Sequence, residues 1–128
     1  MTSLVHHWRK EAGARVQRSR PLDQLKVQAP CVVRVPDGGY RLFYTALGPG
    51  KPYANSQGYI LSAYSRDGLH FKRWGEAFIR PGPRKERWIY GATFPQYGLL
   101  VTKSDTVATP DELSLYVNDG GGWSQRGK

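Results

Sequence analysis

The stretch from Pro30 to Phe71 constrains the fold most, because short strand-type segments alternate there with well-marked turns. Aromatic and β-branched residues favour strands, and the Asp37-Gly38-Gly39 run is typical of a tight hairpin turn, since glycine adopts positive φ at no steric cost. Arg66-Asp67-Gly68 marks a second turn, and 48–58 reads as a long polar loop. The sequence therefore predicts a four-stranded antiparallel meander with strands over 31–36, 40–47, 59–65 and 69–73.

The two middle strands of this meander have no clearly polar face. Successive side chains in a strand point to opposite sides, and both sides of 40–47 and of 59–65 are largely apolar. A sheet with one solvated face alternates apolar with charged residues, so we expect both faces to be covered. A propeller blade meets this condition, and so does a central strand pair in a sandwich or barrel.

The second half of the chain repeats the order of the first. Ala63–Phe71 aligns with Leu115–Trp123, an offset of 52 residues, and both segments carry a polar-Asp-Gly turn before an aromatic residue. The second unit is predicted to have strands over 88–94, 99–103, 113–117 and 122–125, with a turn at 95–98. Repetition of a four-strand unit favours a propeller, although a repeated sandwich half stays open.

The N-terminal 25 residues read as a separate arm. Val5, Trp8 and Ala12 would share one face of a short helix that Gly13 ends. We thus predict an all-β chain with an arm over 1–25 and two four-stranded antiparallel blades within 26–128, at about 27–80 and 85–126.

Charge and composition exclude several classes of protein. The formal charge is +9, but the basic residues are dispersed with no run of five, which favours a solvated basic surface over a nucleic-acid site. The single cysteine, Cys31, lies in an apolar strand and is predicted to be a buried thiol. We predict no metal site, no cofactor and no membrane segment. With no secretory leader visible we expect a cytoplasmic protein, secretion staying open if a leader precedes Met1.

The strand and turn motifs resemble those of the five-bladed β-propeller glycosidases, the group of arabinanases, xylosidases, levansucrases, invertases and mannoside phosphorylases. The likeness covers about residues 27–125 as two blades. It is carried by Pro30-x-Val32-Val33-Arg34-x-Pro36-Asp37-Gly38-x-Tyr40-Arg41-Leu42-Phe43-Tyr44-Thr45 and by Ile60-x-x-Ala63-x-Ser65-x-Asp67-Gly68-x-x-Phe71.

The resemblance implies carbohydrate as the partner and a pair of carboxylates as the catalytic groups. In that family the first acid commonly precedes the proline that opens an inner strand. The matching position here is Ala29, and the second unit has no carboxylate near Tyr90 either. Asp23 is the candidate catalytic acid, since it precedes the innermost strand. The predicted sugar-binding residues are Arg34, Tyr53, Trp88 and Tyr90.

Two blades cannot close a propeller ring. The chain is therefore predicted to be a fragment of a longer propeller, to associate with copies of itself, or to be a minimal relative in which residues 1–25 cover one face. The leading functional hypothesis is a glycosidase-type segment that handles carbohydrate without catalysis of its own. The alternatives are a non-enzymatic module that binds glycans or a protein, and, third, a basic nucleic-acid binder.

Overall fold

A computed structural model describes residues 9–48, 58–81, 83 and 93–119 of the chain. The described part is all-β, as predicted, with one 3₁₀ helix at Pro21–Asp23 and two antiparallel sheets. The six strands are β1 (Lys26–Arg34), β2 (Tyr40–Leu47), β3 (Gly58–Ser65), β4 (Lys72–Arg73), β5 (Thr93–Thr102) and β6 (Glu112–Asp119). No helix in these ranges is long and apolar enough to cross a membrane.

The first sheet is the predicted meander, with its four strands hydrogen-bonded in the order β1-β2-β3-β4. β1 starts five residues before the predicted 31–36 and ends two residues before its end, because 26–28 also pair with β2 ahead of a bulge. β2 has the predicted bounds, and β3 starts one residue earlier than predicted. β4 is shorter than the predicted 69–73, because the backbone N–H groups of Leu69 and His70 donate to the Asp67 carboxylate and not to a neighbouring strand. Ile79 adds an isolated antiparallel bridge to Ile60 in the 77–80 region.

The hairpin between β1 and β2 turns through Pro36–Gly38. Gly38 N–H donates to the Val35 carbonyl at 2.9 Å, and Gly38 has a φ of 84°, which glycine adopts without strain. Gly39 N–H donates to the Asp37 carboxylate at 2.9 Å. This is a turn followed by a left-handed glycine, a common way of closing a three-residue hairpin loop.

A β-bulge interrupts β1 at Ala29 and Pro30. Gln28 pairs with Thr45 and Cys31 with Phe43, so Ala29 and Pro30 together stand opposite Tyr44. Ala29 has a φ of 50°, a left-handed conformation that is uncommon for a residue with a Cβ. Bulges of this kind bend an edge strand and redirect the side chains next to it.

The core lies on both faces of the first sheet, as the apolar strands predicted. One face carries a cluster of Leu42, Tyr44, Ala46, Leu61 and Ala63, against which Val16 and Leu22 of the arm pack. The opposite face carries Phe43 and Ile60, both buried, and the Phe43 ring lies 5.0 Å from that of Phe78. β5 lies against β1, β2 and β3, so the two sheets pack together.

Two further local predictions differ from the structure. Residues 9–12 of the predicted arm helix are not helical, and residues 5–8 lie outside the described ranges. β5 runs through the predicted 95–98 turn, because Pro95 pairs with Val117 and Leu99 with Leu115, and the residues between them form a bulge. The described part of the second sheet is the β5-β6 pair, and the strand predicted over 122–125 lies outside it.

Candidate functional site

An open groove of about 610 Å³ lies on the face of the first sheet that carries the Leu42 cluster. Its wall is formed by β1, β2, the turn after β3 and the arm. The lining residues are Arg15, Val16, Val27, Gln28, Pro30, Val32, Tyr40, Leu42, Tyr44, Asp67, Gly68 and Phe71.

The alternation of β2 supplies the floor of the groove. Tyr40, Leu42 and Tyr44 are two residues apart and so point to the same side of the sheet. Phe71 comes from the segment between the Asp67 turn and β4, and it packs on the Leu42 cluster. The groove therefore offers three aromatic rings, from Tyr40, Tyr44 and Phe71, on an apolar floor.

The Tyr44 ring lines the groove, but its hydroxyl is buried. The side chain is 3% exposed, and the hydroxyl makes no hydrogen bond of good geometry. Burial raises the pKa of this phenol above its ordinary value, and the Arg73 guanidinium close to the hydroxyl partly offsets that rise. Arg73, and Asp23 and Arg20 near it, are not among the lining residues of the groove. Tyr44 therefore offers the groove its ring and not its hydroxyl.

The Asp67 turn closes one side of the groove and is held by its own side chains. The Ser65 hydroxyl accepts the N–H groups of Asp67 and Gly68 and donates to Asp67 Oδ1 at 2.8 Å. His70 Nδ1 lies 2.6 Å from Asp67 Oδ2. The His70 ring and the donating N–H groups lower the pKa of the Asp67 carboxyl, so it stays ionised.

The charged groups of the groove are balanced. Arg15 forms an ion pair with Glu11 in the arm, and Asp67 is held by His70 and the turn backbone. Asp67 is the one carboxylate among the described lining residues. The groove combines aromatic rings with the amide of Gln28, a chemistry suited to an uncharged polar ligand with apolar faces.

Asp23, the candidate catalytic acid, is fully buried at the end of the 3₁₀ helix in the arm. One oxygen accepts the backbone N–H groups of Ser19 and Arg20 at 3.0 and 2.7 Å, and the other pairs with Arg73 Nη1 at 2.5 Å. It lines neither the groove nor the second pocket of the described surface. A catalytic role for Asp23 stays a prediction, and these contacts favour a structural one.

The predicted sugar-binding residues are not assembled in the groove. Arg34 is the exposed last residue of β1, paired with Tyr40, and is absent from the groove lining. Tyr53, Trp88 and Tyr90 lie outside the described residues.

Sequence reasoning missed Tyr40, Tyr44 and Phe71 as site residues. The alternation of β2 places Tyr40 and Tyr44 on one face of the sheet, and this pattern is the sequence signal from which they could have been found. No sequence signal places Arg15 or Phe71 beside them, because those contacts arise only when the arm and the Asp67 turn fold onto the sheet.

No family model matches the chain, and no curated protein or solved structure matches it either.

Proposed function

We propose that the chain is a segment of a glycosidase-type β-propeller and that its groove binds an uncharged carbohydrate without hydrolysing it. The sequential β1-β2-β3-β4 meander, packed on both faces, supports the propeller-blade interpretation. The blade motifs of the sequence supply the link to carbohydrate.

The three aromatic rings of the groove carry the proposal. A sugar presents C–H faces that pack on aromatic rings, together with hydroxyl groups that both donate and accept. Tyr40, Tyr44 and Phe71 supply the rings, and the Gln28 amide supplies a donor and an acceptor.

Hydrolysis is not part of the proposal, because it requires two carboxyl groups flanking one glycosidic bond. Among the described lining residues the groove has Asp67 alone, and both oxygens of Asp67 are already bonded within the turn. Ala29, at the position of the family's first acid, has no ionisable group.

The test is calorimetric titration with arabinan, xylan, levan and mannan oligosaccharides, comparing wild type with Tyr40→Leu. We expect one of these to bind and Tyr40→Leu to weaken it about fivefold, since one stacking ring contributes ~1 kcal/mol. Tyr40→Leu removes a ring of the groove and keeps an apolar side chain in β2, and circular dichroism verifies that the fold is retained.

The matched control is Tyr116→Leu, which removes the ring of an exposed tyrosine on β6, outside the groove lining. This variant should bind like wild type. Absence of binding to all four glycans, or equal affinity of wild type and Tyr40→Leu, would refute the proposal.

A further inference from the structure

A second pocket, the basic cleft, lies on the other side of the Asp67 turn from the groove. It is lined by residues 64–67, 70 and 72–75. Four of the lining residues are basic or imidazole side chains (Arg66, His70, Lys72 and Arg73), whereas Asp67 is the single acid. All four lie within residues 66–73, so the turn after β3 and the short strand β4 bring these groups together.

The register of the first sheet builds a row of side chains beside the cleft. Arg41 of β2 and Lys72 of β4 both pair with Tyr64 of β3. Directly paired residues share a face of the sheet, so Arg41, Tyr64 and Lys72 stand side by side across three strands. Neighbouring strands are about 4.8 Å apart, and the row is therefore about 10 Å wide.

Trp74 extends this row with an exposed aromatic ring. Its backbone N–H donates to the Ser62 carbonyl at 3.1 Å, which fixes its position just beyond β4. The side chain is 51% exposed, an uncommon state for tryptophan, and the Arg41 guanidinium lies 5.8 Å from the ring centroid. The surface thus holds a half-exposed ring with a cation over one of its faces.

Several charged groups near the basic cleft already have hydrogen-bond or ion-pair partners within the protein. These partners decide which cations are available to bind a ligand. Arg73 is bound to Asp23, Gln17 and Ser19 in the arm, and His70 is bound to Asp67. The nearby Asp37 carboxylate accepts bonds from Gly39 and from the Tyr64 hydroxyl, and the charges of Arg66 and Arg41 also lower its pKa, so one acid faces these two cations. Lys72 and Arg66 are exposed at the cleft, and Arg41 lies beside it.

We infer that the basic cleft binds single-stranded nucleic acid, with a base stacked on Trp74 and backbone phosphates held by Arg41, Arg66 and Lys72. Proteins that bind single strands combine a positive groove with exposed aromatic rings, and they need no base-specific contacts because every base has a stacking face. The formal charge of +9 on the chain favours association with a polyanion. This inference is independent of carbohydrate binding in the groove.

The test is fluorescence anisotropy with a labelled oligo(dT) of 15 nucleotides, titrated at several salt concentrations. Three phosphate contacts predict a slope of about −2 for log affinity against log salt. Lys72→Gln should make the slope about 0.7 shallower. Trp74→Ala should weaken binding about tenfold and leave the slope unchanged, because stacking releases no counterions.

Two matched controls separate this site from diffuse charge. Lys103→Gln makes the same charge change on an exposed residue after β5, and Tyr116→Ala removes an exposed ring on β6. Both should bind like wild type. Absence of binding in low salt, or equal losses in Lys103→Gln and Lys72→Gln, would overturn the inference. So would a sulfated oligosaccharide of equal charge binding as tightly as oligo(dT), since that would show charge attraction without stacking.

Discussion

Two aspartates in the turns of the first sheet, Asp37 and Asp67, are held as carboxylates by bonds from their own neighbourhood. The Gly39 N–H and then the Tyr64 hydroxyl lower the pKa of Asp37 below its ordinary value of 3.8. The His70 ring and the N–H groups of His70 and Leu69 lower the pKa of Asp67 further. Turn aspartates are expected to bond to nearby backbone in this way, and the structure confirms that role for both.

These lowered pKa values predict loss of stability in acid. A carboxyl whose folded pKa lies below its unfolded pKa contributes stability above the unfolded value, and this contribution is lost as the pH falls through the folded value. We expect urea midpoints to fall as the pH drops below about 4. Asp67→Asn should lower the midpoint at pH 7 and have a smaller effect at pH 2.

The comparison variant for this pH series is Asp111→Asn, since Asp111 is exposed in the loop between β5 and β6. Its urea midpoints should follow those of wild type throughout. If the urea midpoint of Asp67→Asn changed with pH in parallel with that of wild type, the stabilising role of the ionised Asp67 carboxylate would be contradicted. The turn carboxylate would then contribute no stability that protonation removes.

At the scale of elements, the arm is attached to the meander by a buried ion pair. Asp23 ends the 3₁₀ helix of the arm, and Arg73 is the last residue of β4, with 14% of its side chain exposed. The Arg73 guanidinium also donates to the Gln17 carbonyl and to the Ser19 hydroxyl. One side chain of β4 therefore binds three positions of the arm.

Removing one partner of this pair should destabilise the protein strongly. Asp23→Ala leaves a buried guanidinium without its counter-charge, which typically costs about 3–5 kcal/mol. The double variant Asp23→Ala/Arg73→Met should lose less than the sum of the two single variants, because the second change removes the stranded charge. Urea denaturation of wild type, Asp23→Ala, Arg73→Met and the double variant measures this coupling. If the two losses in free energy of unfolding simply added, the pair would contribute no interaction of its own.

The elements differ in how well the sequence predicts them, for physical reasons. β2 was predicted correctly because its turn and its alternation both act locally. β4 was predicted too long because the Asp67 carboxylate takes the N–H groups of Leu69 and His70. The 95–98 segment was predicted as a turn, but its residues form a bulge because β5 pairs onward with β6.

The groove and the basic cleft could not be predicted from the sequence, for a related reason. Arg15, Val27 and Phe71 meet only through tertiary packing, and Arg41 reaches Trp74 only through the register of three strands. Alternation can assign a residue to a face of a sheet. It cannot say which residues of other elements will pack beside it.

At the scale of the whole molecule, the described part is one meander with a second sheet and an arm packed against it. The described lining of the groove contains one carboxylate, Asp67. Hydrolysis of a glycosidic bond needs two carboxyl groups that flank it, so the proposed binding of carbohydrate does not imply hydrolysis.

We accordingly expect no turnover of nitrophenyl arabinoside, xyloside or mannoside by this chain. Product release followed by absorbance provides the measurement, with Asp23→Asn as the companion variant. Robust turnover by wild type would contradict this expectation. Turnover that survives Asp23→Asn would also exclude Asp23 as the catalytic acid. Because Asp23→Asn disturbs a buried pair, its folding is to be verified by circular dichroism first.

The arm-to-β4 ion pair also bears on the order in which the chain folds. Asp23 and Arg73 are 50 residues apart, and the β1-β2 and β2-β3 connections both lie between them. Closing a loop of that length before the hairpins form would cost chain entropy that a single ion pair does not return. Because the hairpins are local, we expect them to close first and the arm to dock in the last stage of folding.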